Sequence, residues 1–309
     1  MQEQKKKNRT RLTVSVLILA ALVAFSVIGY AGSLEPSAPP GPTMKTLAEV
    51  EPRTPISSVP YTIAESGSYY LAANAQTTSS MFNGITIWAS NVTLDLKGFS
   101  LIGDGTRGLH GIVIEGDYKN IKIRNGTITS WGGNGVEAAT ATQCQAEDLR
   151  VIDNDGSGIH LPGDYQVVTG CVASGNGDSS STSVSGIYVG KGSRVTGNTA
   201  HGNGHSADAD VYGIFVGEGS TVAGNTAHRN GVSADGDYVY GIYVSKAGTV
   251  TGNTAQDNGD FAGSVYGIYL RSYCVVEQNV AFDNGFSAGS IENMTLGVLG
   301  CAYGNNVPQ

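Results

Sequence analysis

Apolar residues after position 80 come in runs of three to five, and within a run they alternate with other residues. In Gly186-Ile187-Tyr188-Val189, and again around Val195, Gly or Asn closes the run. Alternation over so few positions predicts short strands whose successive side chains face opposite ways. Helical repeats need longer segments with a 3.6-residue period and few glycines. A different pattern stands at the front, where an uncharged, mostly apolar run extends from Leu12 to Ile28.

The short strands recur. Gly186-Ile-Tyr-Val returns as Gly213-Ile-Phe-Val, Gly241-Ile-Tyr-Val and Gly267-Ile-Tyr-Leu, with weaker copies at Gly84, Gly111, Gly135 and Gly158. The intervals between these glycines are 27, 24, 23, 28, 27, 28 and 26. A second block keeps the same register. Val195-Thr-Gly-Asn-Thr-Ala-His-Gly-Asn-Gly204 is repeated from Val222 and Val250, and in degenerate form from Val276. A fixed period of this size means a solenoid. Three short strands and three turns fill one such period, and each strand pairs with its equivalent about 4.8 Å away in the next coil. The expectation is an all-β, single-stranded parallel β-helix of about eight to ten coils over residues 57–309.

These repeats, with Pro60-Tyr-Thr-Ile, Gly67-Ser-Tyr-Tyr-Leu, Gly84-Ile-Thr-Ile and Asn91-Val-Thr-Leu-Asp-Leu-Lys-Gly98, resemble the right-handed parallel β-helix superfamily that includes pectate lyases and related polysaccharide-active proteins. The resemblance covers roughly residues 57–300 and implies a right-handed coil and an exported bacterial protein. It implies no single activity, because one scaffold carries many.

Composition places the chain. Lys5, Lys6, Lys7, Arg9 and Arg11 precede the apolar run, and Ala31, Gly32 and Ser33 follow it. That order describes an export signal over residues 1–32, or a retained N-terminal anchor. In either case the remainder is exported, to the periplasm, cell surface or medium, and meets a membrane only through this segment. Residues 33–56, with Pro36, Pro39, Pro40, Pro42, Pro52 and Pro55, read as an extended linker. The formal net charge is −8 for the whole chain, which argues against nucleic acid as a partner.

In a solenoid, residues one period apart stack. Asn198, Asn225, Asn253 and Asn279 form one column, and Asn176, Asn203, Asn230, Asn258 and Asn284 another. Both read as structural amide ladders. Ile187, Ile214, Ile242 and Ile268 point inward, as do Val189, Val216, Val244 and Leu270. The residue between them faces outward, giving the column His160, Tyr188, Phe215, Tyr243 and Tyr269. It reads either as a glycan-binding platform or as rings that stabilise one another across strands. Tyr212, Tyr240 and Tyr266 just precede the repeat glycines.

Candidate chemistry is sparse. Asp208, Asp210, Asp235 and Asp237 lie on adjacent turns and are the weak candidates for Ca²⁺, against a reading as solvated loops. His201 and His228 occupy equivalent positions whose separation would suit two ligands of copper or zinc, but their column continues as Gln256 and Phe282 with no Cys or Met beside it, so they read rather as solvent-facing loop histidines. Cys144 and Cys171 are 27 apart, as are Cys274 and Cys301. Cys171 aligns with the Asn198 column and Cys144 about five positions earlier, so a bridge between Cys274 and Cys301 is the better-placed pair, with buried free thiols as the alternative. The superfamily resemblance implies Ca²⁺ and a basic proton abstractor for lyases, and paired aspartates or Asp-Pro-His signatures for hydrolases and epimerases. No matching motif occurs. His160, Tyr188, Arg194 and Asp164 are the remaining candidates for acid–base work. The sequence therefore reads as a noncatalytic exported protein that binds polysaccharide or a cell-surface glycan, or serves as a surface structural element. A divergent polysaccharide lyase or uronate epimerase is the alternative, and a rod that self-associates end to end is the third reading.

Overall fold

The computed structural model describes residues 2–28, 53–77, 81–106, 108–178, 180–296, 301–303 and 307–308. The chain divides into two units, 1–52 and 53–309. In the first, Gln2–Ile28 is a single α-helix. Among the described residues no helix is long and apolar enough to cross a membrane. The described part of the Pro-rich segment belongs to the second unit. Thr54–Ile56, expected in the linker, is a strand that pairs in parallel with Gly67–Leu71, so the solenoid begins before residue 57.

The second unit is a right-handed parallel β-solenoid of about nine turns. Most turns contribute one strand to a front sheet and two to a back sheet, and in two turns the back-sheet pair is fused into one long strand, Lys119–Thr129 and Thr142–Ile152. Among the described residues the front sheet has 10 strands, from Tyr61–Ile63 to Ser290–Leu296, and the back sheet 19. All pairings are parallel and in register with the repeat, as in Ile159↔Ile187↔Ile214↔Ile242↔Ile268. The tail continues this ladder. Ala302–Tyr303 pairs with Val275–Glu277, and Val307–Pro308 with Val280–Phe282.

The interior is a set of aliphatic stacks. Ile187, Ile214, Ile242 and Ile268 on the front sheet are fully buried, as are Val195, Val222, Val250 and Val276 on the back. Where the two sheets approach most closely, the repeat glycines face an alanine column. A Cβ on Gly186 would lie 2.7 Å from the Gly213 carbonyl oxygen and 3.0 Å from the Ala200 Cβ. That contact explains why Gly and Ala recur together where larger residues would add core area.

Two amide ladders close the corners. In the first, Nδ2 of Asn176, Asn203, Asn230 and Asn258 donates to Oδ1 of the next Asn at 2.8–2.9 Å. Each backbone N–H donates to that same oxygen at 3.0–3.1 Å. The second Nδ2 hydrogen bonds the carbonyls of Val151, Ala173, Ala200 and Ala227 in turn. The ladder is longer than the repeat indicated. Asn154 joins it at one end, capped by the Trp131 N–H, and Asn293 receives Asn284 at the other. The second ladder, Asn198 to Asn279, uses the same bonding and starts from the Cys171 N–H. Residues just before these asparagines take left-handed backbone angles, as Gly197, Gly224 and Gly252 do at φ near +63 to +65, and Gln278 does so at +54.

The four cysteines are free thiols, the alternative the sequence left open, and no bridge joins Cys274 and Cys301. The two stack one coil apart, with the Cys274 N–H donating to the Cys301 sulfur at 3.3 Å. Here a thiol takes the acceptor role that Gln166 and Ser193 fill on the same corner of earlier coils. Burial raises the Cys144 and Cys171 thiols to about 12, so both stay protonated.

Asn230→Ala removes the acceptor of the Asn203 backbone and side-chain N–H groups and the donor to the Ala200 carbonyl. Chemical denaturation should show a loss of about 2–5 kcal/mol. The exposed Thr221→Ala should stay within about 0.5 kcal/mol of the parent.

Candidate functional site

The outward face of the front sheet changes character along the rod. Its central column runs Thr62, Thr86, Val113, Glu137, His160, Tyr188, Phe215, Tyr243, Tyr269 and Thr295, each opposite the next in register. The neighbouring column, one residue before each repeat glycine, changes in parallel from Asn83, His110, Asn134, Ser157 and Ser185 to Tyr212, Tyr240 and Tyr266.

The aromatic half is a double stack. Ring centroids in the central column are 4.3 Å apart for Tyr188–Phe215, 4.8 Å for Phe215–Tyr243 and 5.3 Å for Tyr243–Tyr269, with planes 1°, 6° and 11° apart. Tyr212, Tyr240 and Tyr266 stack beside them at 5.0 and 5.1 Å. The two stacks meet edge to face, as at Tyr240–Tyr243, 5.2 Å and 81°. Near-parallel rings at these distances overlie one another, and T-shaped contacts fill the space between columns. Of the two sequence readings of this column, the contacts are those of rings that stabilise one another across strands; outward it presents ring edges and phenol oxygens, while ring faces largely cover each other. Burial, then the charge of Asp210 and the neighbouring phenols, pushes the Tyr212 hydroxyl up to about 12. Burial also raises Tyr188, Tyr240 and Tyr243. These phenols remain neutral donors.

The polar half is hydrogen-bonded. His160 Nδ1 lies 2.8 Å from Glu137 Oε2, and the Asn134 carboxamide donates to the same oxygen. Asn134 N–H donates to His110 Nδ1 at 2.8 Å, and the Asn134 oxygen accepts from Ser157 N–H at 2.7 Å. Because His110 Nδ1 accepts, the proton of its neutral ring sits on Nε2. Burial alone would raise the Glu137 carboxyl, but the His160 bond and charge, Asn134 and His110 hold it below its ordinary value. Burial lowers His110 against the pull of Glu137. The His160 ring centroid is 4.9 Å from that of Tyr188. A carboxylate therefore orients an imidazole beside a phenol at the junction of the two halves.

The structure keeps His160 and Tyr188 together but separates them from the other acid–base candidates. Arg194 is on a back-sheet strand, and Asp164 lies in the turn between Ile159–Leu161 and Val167–Thr169. Closeness in sequence across a coil corner puts a residue on another face. Glu137, His110 and Asn134 take the places that the sequence reading left empty. Asp208, Asp210, Asp235 and Asp237 sit on successive turns, where Asp210 caps the Tyr238 N–H at 3.1 Å. Among the described residues no three carboxylate, imidazole or thiol groups converge where a metal ion could sit. A groove of about 620 Å³ borders the polar half, and Gly132, Asp153, Asp155, Gly156 and Asp178 line part of it.

The fold and this sheet face define a right-handed parallel β-helix protein with an aromatic strip running into a polar, titratable cluster. The sequence profile described as right handed beta helix region matches residues 110–281, more than half of the chain, and the protein belongs to that family. Among solved structures, the Dettilon tailspike protein (gp208) is similar at 13% identity and a TM-score of 0.44, over 81% of this chain and 61% of the tailspike chain. This chain thus spans less than two thirds of that protein. The A-module of the Azotobacter vinelandii mannuronan C-5 epimerase AlgE4 is similar at 14% identity and a TM-score of 0.37, over 79% of this chain and 89% of the module. At these identities the likeness is one of fold. Comparison with curated protein sequences gives no match.

Acidification should act on the polar cluster in two stages. His110 is held below its ordinary 6.5, so its contribution to stability is full above pH 6.5 and falls as the unfolded chain takes up the proton below it. Glu137 is held below its ordinary 4.5, so its contribution is full above pH 4.5 and is lost as pH falls through the lower folded value. In thermal unfolding across this range, His110→Gln should flatten the upper stage. Glu137→Gln should remove the lower one.

Proposed function

We propose that this protein is exported and binds polysaccharide along the outward face of its front sheet. The observation that carries this reading is the unbroken aromatic strip from Tyr188 to Tyr269, flanked by Tyr212, Tyr240 and Tyr266. Its repeat is one strand spacing, about 4.8 Å, close to the rise of an extended pyranose chain per sugar. The glycan's hydroxyl groups meet the neutral phenol hydroxyls, and its oxygen atoms meet the positively polarised ring edges. The polar cluster at Glu137 and His160 reads one end of the bound polymer. The acidic balance of the chain favours a neutral glycan, or an anionic one bridged by cations such as Ca²⁺.

One observation favours a second reading, a lyase or epimerase. With Nδ1–H of His160 held by the Glu137 carboxylate, Nε2 is left as the basic nitrogen, beside the Tyr188 phenol. That is an arrangement for moving a proton to or from a bound sugar.

Retention of the full chain on immobilised neutral and uronate polysaccharides, with and without Ca²⁺, tests both. Binding without chemistry, weakened about three- to tenfold by Tyr243→Phe, supports the strip, because that variant keeps the ring stack and removes one hydroxyl. Unsaturated or newly reducing ends, lost in His160→Ala, support the enzyme. Absence of retention on every polymer overturns the binding reading.

A further inference from the structure

On the back sheet, away from the strip, His201 and His228 end the strands Thr199–His201 and Thr226–His228. They are strand residues, not the loop histidines expected from the sequence. They pair in register one coil apart, with rings 5.1 Å between centroids and 12° between planes. Their Nδ1 atoms face each other at 3.2 Å. The His201 Nδ1 is also 3.2 Å from the His228 carbonyl oxygen. On its other side, His228 Nε2 lies 3.1 Å from Asp257 Oδ2, which also accepts from Gln256 Nε2 at 3.0 Å.

In the tautomer that donates Nε2–H to Asp257, the His228 ring leaves Nδ1 as a lone pair aimed at His201. A ligating histidine backed by a carboxylate through its other nitrogen is the usual second layer of a metal site. Two nitrogens bound to one tetrahedral zinc at about 2.0–2.1 Å stand about 3.3 Å apart, close to the spacing here. The imidazole χ2 torsion is soft, so rotation of both rings turns their lone pairs away from each other and toward a shared point. Imidazole pairs select zinc, copper or nickel over the oxygen-seeking calcium and magnesium.

We propose that His201 and His228 form a two-imidazole site for a divalent transition-metal ion, with Asp257 orienting His228 and the remaining positions open to water or a second molecule. On binding, His201 moves its hydrogen from Nδ1 to Nε2, and Nδ1 donates to the metal. The site is independent of the glycan reading, because it occupies the other sheet.

The test titrates the full chain with Zn²⁺ by calorimetry and with Cu²⁺ by electron paramagnetic resonance. Saturable one-to-one Zn²⁺ binding with two-nitrogen coordination of Cu²⁺ is expected. His201→Ala and His228→Ala should each abolish it, while Asp257→Asn weakens it about tenfold or more. Circular dichroism of each variant checks that the solenoid is intact. No saturable binding, or binding unchanged in either histidine variant, overturns the proposal. Unchanged affinity in Asp257→Asn overturns the role given to that carboxylate.

Discussion

The buried carboxamide ladders are the constraint on which this solenoid rests. A coil of about 25 residues must turn sharply three times, and each turn removes backbone N–H and carbonyl groups from water. Asn answers that need in a way a hydrophobic residue cannot. Its oxygen accepts two N–H groups from the preceding coil, and its nitrogen donates to the next oxygen and to a carbonyl. Every group is satisfied only when the neighbouring coil carries Asn at the same position. The ladder therefore fixes register as well as stability, and it ties the Gly–Ala close approach to the same corner, where a Cβ on Gly213 would reach Asn230 Nδ2 at 2.7 Å.

Once register is fixed, the outer faces become columns whose chemistry is set one coil at a time. The front face uses this freedom to pass from threonine through Glu137 and His160 to stacked aromatic rings. The stack follows from strand spacing. Rings held one strand apart on a parallel sheet overlap their neighbours, so their faces stabilise each other and their edges face outward. On the back face the same rule brings two imidazoles into contact and ends the stack at Gln256.

Much of this was legible in the chain. The glycine intervals gave the coil, alternation gave inside and outside, and Asn recurrence gave both ladders with all nine asparagines correctly placed. The column rule also named Tyr188, Phe215, Tyr243 and Tyr269. The same rule reaches Glu137, two residues after the weak repeat glycine Gly135, but that copy is degenerate and carries no aromatic residue to draw notice. Asn154 joins the first ladder from a coil whose sequence no longer resembles the repeat.

What the sequence determined by itself is what depends on period: strand type, coil length, inward stacks and outward columns. Those follow because one-repeat spacing in sequence becomes one-strand spacing in space. The tertiary structure decided contacts between different columns. It alone showed that His110, Asn134 and Glu137 join His160, that Arg194 and Asp164 stand apart from it, and that Cys301 serves Cys274 as an acceptor rather than a disulfide partner. Side-chain direction at a corner depends on the local backbone angle, and the repeat alone leaves that angle unspecified.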